Sequence, residues 1–149
     1  MEEEKEKPVG RPKKIESPEK LKEYFLMYEK ETKSNPFLVK DWVGKDADEV
    51  HREKERPLTI EGFECWLADE GIIEDLGDYL RNKDGRYEDF ATICTYIKKR
   101  VRKDQVEGGM ANIYNPSITQ RLNHLKEEID HSGEITNKVV RVSIKKNED

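Results

Sequence analysis

The sequence predicts a mainly helical chain with a β-strand near its end. Three observations carry that reading. Apolar residues recur at three- and four-residue spacing in separate stretches. Three of those stretches open on a cap or proline signature, and only the tail switches to strict alternation.

Residues 1–16 have no apolar period and contain Pro8, Gly10 and Pro12, which predicts a mobile arm. Ser17-Pro18-Glu19 then starts a helix, with a serine cap, a proline suited to the first turn and an acid at the positive end of the dipole. Leu21, Tyr24, Phe25 and Tyr28 form one face of it, and Asn35-Pro36 closes it. Between Phe37 and Arg56 the expectation is a two-stranded excursion about Gly44 to Asp48, followed closely by a charged helix.

Pro57-Leu58-Thr59 opens the next helix with Thr59 as its cap. Ile60, Phe63, Trp66 and Leu67 line one side, and Gly71 ends it. A second short helix is expected to carry Ile72, Ile73, Leu76, Tyr79 and Leu80. The pair is compatible with a helix-turn-helix and equally with any αα-hairpin. After the turn Asn82-Lys83-Asp84-Gly85 comes the longest period, Phe90, Ile93, Cys94, Ile97 and Val101, which Gly108-Gly109 is expected to stop. Asn115-Pro116 starts a last helix with the stripe Ile118, Leu122, Leu125 and Ile129, ending at Gly133.

In the tail, Val140, Val142 and Ile144 alternate with Arg141, Ser143 and Lys145, a strand pattern. One strand cannot satisfy its own backbone, so the economical expectation is that equivalent tails from several copies pair with one another.

Composition narrows the function. The chain has 149 residues, 41 % of them charged and 34 % hydrophobic, so its core is thin and partnership with other copies is favoured. No apolar stretch has the length of a membrane span, and the start MEEEKEK is not a secretory signal, which predicts a cytoplasmic protein with no membrane partner. Cys65 and Cys94 form no close-spaced pair. Both lie on expected apolar faces, so core packing is expected of them rather than a disulfide or zinc site.

The net charge of −5 hides a pattern. Lys5 to Lys14 holds five bases against one acid, and Lys98 to Lys103 reads KKRVRK without an acid. Asp41 to Gly85 holds fourteen acids against six bases. Separate basic and acidic surfaces follow. His51, His124 and His131 lie near no cysteine, and no phosphate loop, nucleophile elbow or metal-spaced acid pair occurs. The expectation is a protein that is not an enzyme and uses no cofactor or metal.

The stiff Gly10-Arg11-Pro12-Lys13-Lys14 segment suits a narrow minor groove, and KKRVRK is more charge than the end of a helix needs for its dipole.

Several separated motifs then resemble the small terminase subunit of tailed bacteriophages. Pro57, Leu58, Thr59, Gly62 and Phe63 match the PLT-x-x-GF/L segment that opens that family's helix-turn-helix. Glu107, Gly108, Asn115, Pro116, Ile118, Arg121 and Leu122 match the segment that ends its helical domain. The resemblance runs from about Pro36 to Ile129, and a basic Gly-Arg-Pro start is also common there.

It implies a helix-turn-helix at about 58–82 within an N-terminal helical domain over 17–85. A central helical oligomerisation domain over 86–132 would follow, and a β-strand tail over 133–149 would pair between subunits through Val140, Val142 and Ile144 in a β-barrel. It implies a ring of about eight to eleven copies that binds double-stranded viral DNA at the packaging site, in a bacterial host cytoplasm. The ring would regulate the large terminase subunit, which holds the ATPase and nuclease.

One departure shifts the expected contacts. The expected recognition helix, Ile72 to Leu80, carries Glu74, Asp75 and Asp78, and acids facing phosphates are repelled. DNA contact is therefore assigned to Arg11, Lys13 and Lys14 of the arm, to Arg81, Lys83 and Arg86, and to Lys98, Lys99, Arg100, Arg102 and Lys103. Two rival readings remain: a dimeric helix-turn-helix transcription regulator, which predicts two-fold assembly on half-sites, and an adaptor that touches only protein.

Overall fold

Local chemistry starts the helices where the sequence places them. The computed structural model describes residues 13–125. In it the extended Ser17 accepts the Lys20 N–H on its hydroxyl at 3.2 Å, and α1 runs Pro18–Ser34 with Leu21, Phe25 and Tyr28 buried. Thr59 caps α2, Ile60–Asp69, by accepting the Gly62 N–H at 2.8 Å. Gly71, at φ +69°, turns the chain out of that helix in a conformation that favours glycine. Asn115 accepts the N–H groups of Ser117 and Ile118 and starts α5, Pro116–Leu122.

Between α1 and α2 lies an antiparallel hairpin, β1 Phe37–Val43 and β2 Asp48–Lys54, in the register Phe37↔Lys54 through Val43↔Asp48. The charged helix expected behind the excursion is absent: DEVHREK is the second strand. The strands pack chiefly on each other, so neither needs a buried face and β2 shows no apolar alternation.

The expected second helix over Ile72 to Leu80 is reduced to one turn, α3 Gly77–Leu80. Asp75 takes the Gly77 N–H on its own side chain at 2.6 Å, a local bond that competes with helix continuation from Ile72.

α4, Ala91–Met110, buries Ile93, Cys94, Ile97 and Val101. Gly108 and Gly109 do not stop it. They lie inside the helix, and their missing side chains admit two neighbours. A Cβ on Gly108 would stand 2.2 Å from the Tyr114 ring, and one on Gly109 would stand 2.7 Å from the Thr119 methyl group.

The last helix also differs from expectation. It ends at Leu122 rather than running toward Gly133, and it turns Thr119 and Asn123 inward while Ile118, Leu122 and Leu125 face outward. Cys94 is buried as expected, whereas Cys65 is exposed.

One core joins α1, α2, α3 and α4. Phe25 meets Phe63 edge to face at 5.3 Å, and Tyr79 meets Phe90 at 5.0 Å. Ile15, at the end of the expected arm, is 1 % exposed in this core and donates its N–H to the Tyr79 hydroxyl at 3.0 Å. The segment from Lys13 to Glu16 is therefore docked against the body. Arg11, Ile129 and the tail positions Val140, Val142 and Ile144 lie outside the described residues.

A half-buried ionic knot fastens the hairpin root to the helices. Lys33 donates to Glu55 at 2.7 Å, to the Arg56 carbonyl at 3.1 Å, to Tyr114 at 2.8 Å and to Asp104. Asp104 also accepts the Leu58 N–H at 2.8 Å. Burial lowers the Lys33 pKa, but its bonds to Asp104, Glu55 and Tyr114 outweigh that and hold it above the ordinary lysine value.

Candidate nucleic-acid interface

The cations singled out from the sequence fall into two neighbouring groups. The first surrounds the turn between α3 and α4. Lys13, Lys14 and Arg86 line a shallow depression together with Glu74, Asp75 and Asp78. Arg81 and Lys83 flank Asp78 at 3.8 and 3.6 Å. Lys13 pairs with Asp89 at 2.7 Å and lies over the Phe90 ring at 5.1 Å. This group is internally compensated, and its half-buried Lys13 clamps the chain to the core.

The second group lies on α4. A helix turns 100° per residue, so positions 98 and 102 form one column, 99 and 103 a second about 100° further round, and position 100 lies about 80° beyond the second. Lys98, Lys99, Arg102 and Lys103 are exposed. Lys98 donates to the Leu80 carbonyl at 3.0 Å, so the head of this strip stands beside the residue preceding Arg81. Arg102 donates to the Asn123 carbonyl at 2.9 Å, which ties the strip's lower end to α5. Among the described residues Lys103 pairs with the exposed Glu107, one turn on, at 3.4 Å.

Arg100 is separate from them. Its Nε and one terminal nitrogen donate to Glu29 on α1 at 3.0 and 2.7 Å, and these bonds hold the guanidinium above its ordinary pKa. It is a strut between helices.

The arrangement can hold phosphate oxygens across about 140° of the α4 surface. It offers four exposed cations over about 7 to 8 Å of helix axis. Sequence reasoning missed the ion pairs that consume part of the charge. The Asp78 to Arg81 contact follows an i, i+3 spacing and carries a local signal. Glu29 and Asp89 are distant in the chain from the cations they hold and carry none.

The sequence profile of a family described as DNA-packaging protein gp3 matches residues 10–127, a span that includes the hairpin, both basic groups and α5. No curated protein matches the chain. Among the described residues no helix is long and apolar enough to cross a membrane. With its profile match running from the arm through the last described helix, this chain belongs to the DNA-packaging protein gp3 family.

Proposed function

We propose that the chain is the small terminase subunit of a tailed bacteriophage, a DNA-recognition component without catalytic activity of its own. In this reading it binds double-stranded viral DNA at the packaging site as a ring of about eight to eleven copies. It recruits and regulates the large terminase subunit, which performs ATP hydrolysis and cleavage, within the host cytoplasm. Tails joined through Val140, Val142 and Ile144 close the ring.

The observation that carries the reading is the exposed strip Lys98, Lys99, Arg102 and Lys103 on a chain of a DNA-packaging family. Each copy supplies few phosphate contacts, and a ring multiplies them through effective concentration. The four-residue α3 is too short and too acidic to lie in a major groove, which argues against the regulator reading and for backbone contact.

Anisotropy titration of double-stranded DNA across a salt series tests this. Four neutralised phosphates per copy give a slope of log K against log salt of roughly −3.6 for each engaged copy. Reversing Lys98, Lys99, Arg102 and Lys103 to glutamate weakens every DNA sequence alike. A flat salt response, or a loss confined to one DNA sequence, overturns the assignment. Native mass of the intact assembly decides between a ring and a dimer.

A further inference from the structure

The last helix buries its polar side against the protein. Thr119 and Asn123 are 7 % and 6 % exposed, although Ile118 and Leu122 of the same helix stand in solvent. A buried amide and its partner can be exchanged for apolar groups with little change in stability, so what such a pair supplies is direction.

The Asn123 carboxamide belongs to a chain of bonds that joins α5, α4 and the residue ahead of the α2 cap. It donates to the Thr119 carbonyl at 3.1 Å and to the Gln105 side-chain oxygen on α4 at 3.0 Å. Gln105 in turn donates to the Leu58 carbonyl at 2.8 Å, while the Leu58 N–H goes to the neighbouring Asp104 at 2.8 Å. Both ends of the Gln105 amide are used, which fixes where α5 sits on α4. Gly109, without a side chain, lets Thr119 come close beside this contact.

The chain of bonds ends on a main-chain carbonyl. The Leu125 N–H returns to the Gln120 carbonyl at 3.0 Å across His124, which takes the left-handed conformation at φ +52°. That closure turns the Asn123 carbonyl toward α4, where it accepts Arg102 Nη1 at 2.9 Å. The bond engages one edge of a planar fork and sets its plane, and the exposed remainder of the guanidinium can take a phosphate bidentately.

We infer that Asn123 is a positioning residue for DNA binding. Through Gln105 and Thr119 it holds the carbonyl that presents the Arg102 guanidinium, already oriented, to the phosphate backbone. A side chain oriented beforehand loses less conformational freedom on binding than one that rotates freely. The inference rests on the DNA-contact reading of the α4 strip above and adds how one of its cations is aimed.

Anisotropy titration of a labelled DNA duplex with the full chain tests it by a mutant cycle. Asn123→Ala is measured in the wild type, in Arg102→Ala and in Lys99→Ala, whose lysine lies in the other column. Circular dichroism checks the helix content of each variant. Asn123→Ala is expected to lower affinity about fivefold in the wild type and in Lys99→Ala. It is expected to change nothing in Arg102→Ala, because the residue it acts through is gone. Gln105→Met keeps the side-chain length and removes both amide bonds; it is expected to show the same dependence, and it stands in should Asn123→Ala lose helix content. An equal loss in every background, or no loss in the wild type, overturns the positioning role and leaves DNA contact by α4 standing. A wild-type chain that binds no duplex at low salt overturns both.

Discussion

Replacing Gly108 with alanine sets two effects against each other with opposite signs. By intrinsic propensity alone the change stabilises a helix interior by up to about 1 kcal/mol. The new methyl group, however, would stand 2.2 and 2.3 Å from two carbons of the Tyr114 ring, which must move. Overpacking of this kind costs about 1 to 3 kcal/mol. A displaced Tyr114 also gives up its bonds with Lys33 and Asp104, each worth about 1 kcal/mol.

The losses exceed the gain by about 2 to 4 kcal/mol, which for a folded region of this size lowers Tm by about 8 to 16 °C. Thermal denaturation followed by circular dichroism reads the shift. Combining Gly108→Ala with Tyr114→Ala should recover part of the loss, because the methyl group then occupies vacated space and the pair is coupled. A Gly108→Ala chain that melts above the wild type would refute the claim that close approach fixes this glycine.

Two other outcomes follow from the same packing. Ile15→Ala, although it lies outside every helix, should destabilise by about 2 to 4 kcal/mol in urea denaturation, since it empties a fully buried site. Stability should also decline on the alkaline side. Burial raises the Cys94 thiol and the Tyr79 and Tyr114 phenols, and the hydrogen bonds around Lys33 raise its ammonium. A raised folded-state pKa gives stability that is complete below the unfolded value and lost as pH rises toward the folded one. The decline therefore begins near pH 8.5, where the unfolded thiol ionises, and continues through the tyrosine and lysine range. Urea midpoints measured from pH 7 to 11 check this, and a flat profile contradicts it.

Caps were the legible part of this fold. Ser17, Thr59 and Asn115 act on amides two or three residues away, so their signal is contained in neighbouring letters. The tertiary features were less legible. DEVHREK forms a strand without a buried face, and no apolar period announces it. The spacing of Ile118, Leu122 and Leu125 defines a stripe correctly but does not say whether that stripe meets the core or solvent. Gly108-Gly109 reads in the sequence as a helix stop, whereas the Tyr114 ring and the Thr119 side chain pack against it where a Cβ would stand.

For the candidate interface, the basic letters were visible in KKRVRK. The withdrawal of Arg100 toward Glu29 depends on how α1 crosses α4 and has no local trace.

The knot at Lys33 has a mechanical consequence. A single ammonium holds the strand exit at Glu55 and Arg56, the α4 carboxylate Asp104 and the Tyr114 phenol. The hairpin thus behaves as a lever with a stiff fulcrum: a force applied at its tip tilts the helix that bears the cationic strip, with no slack joint between them.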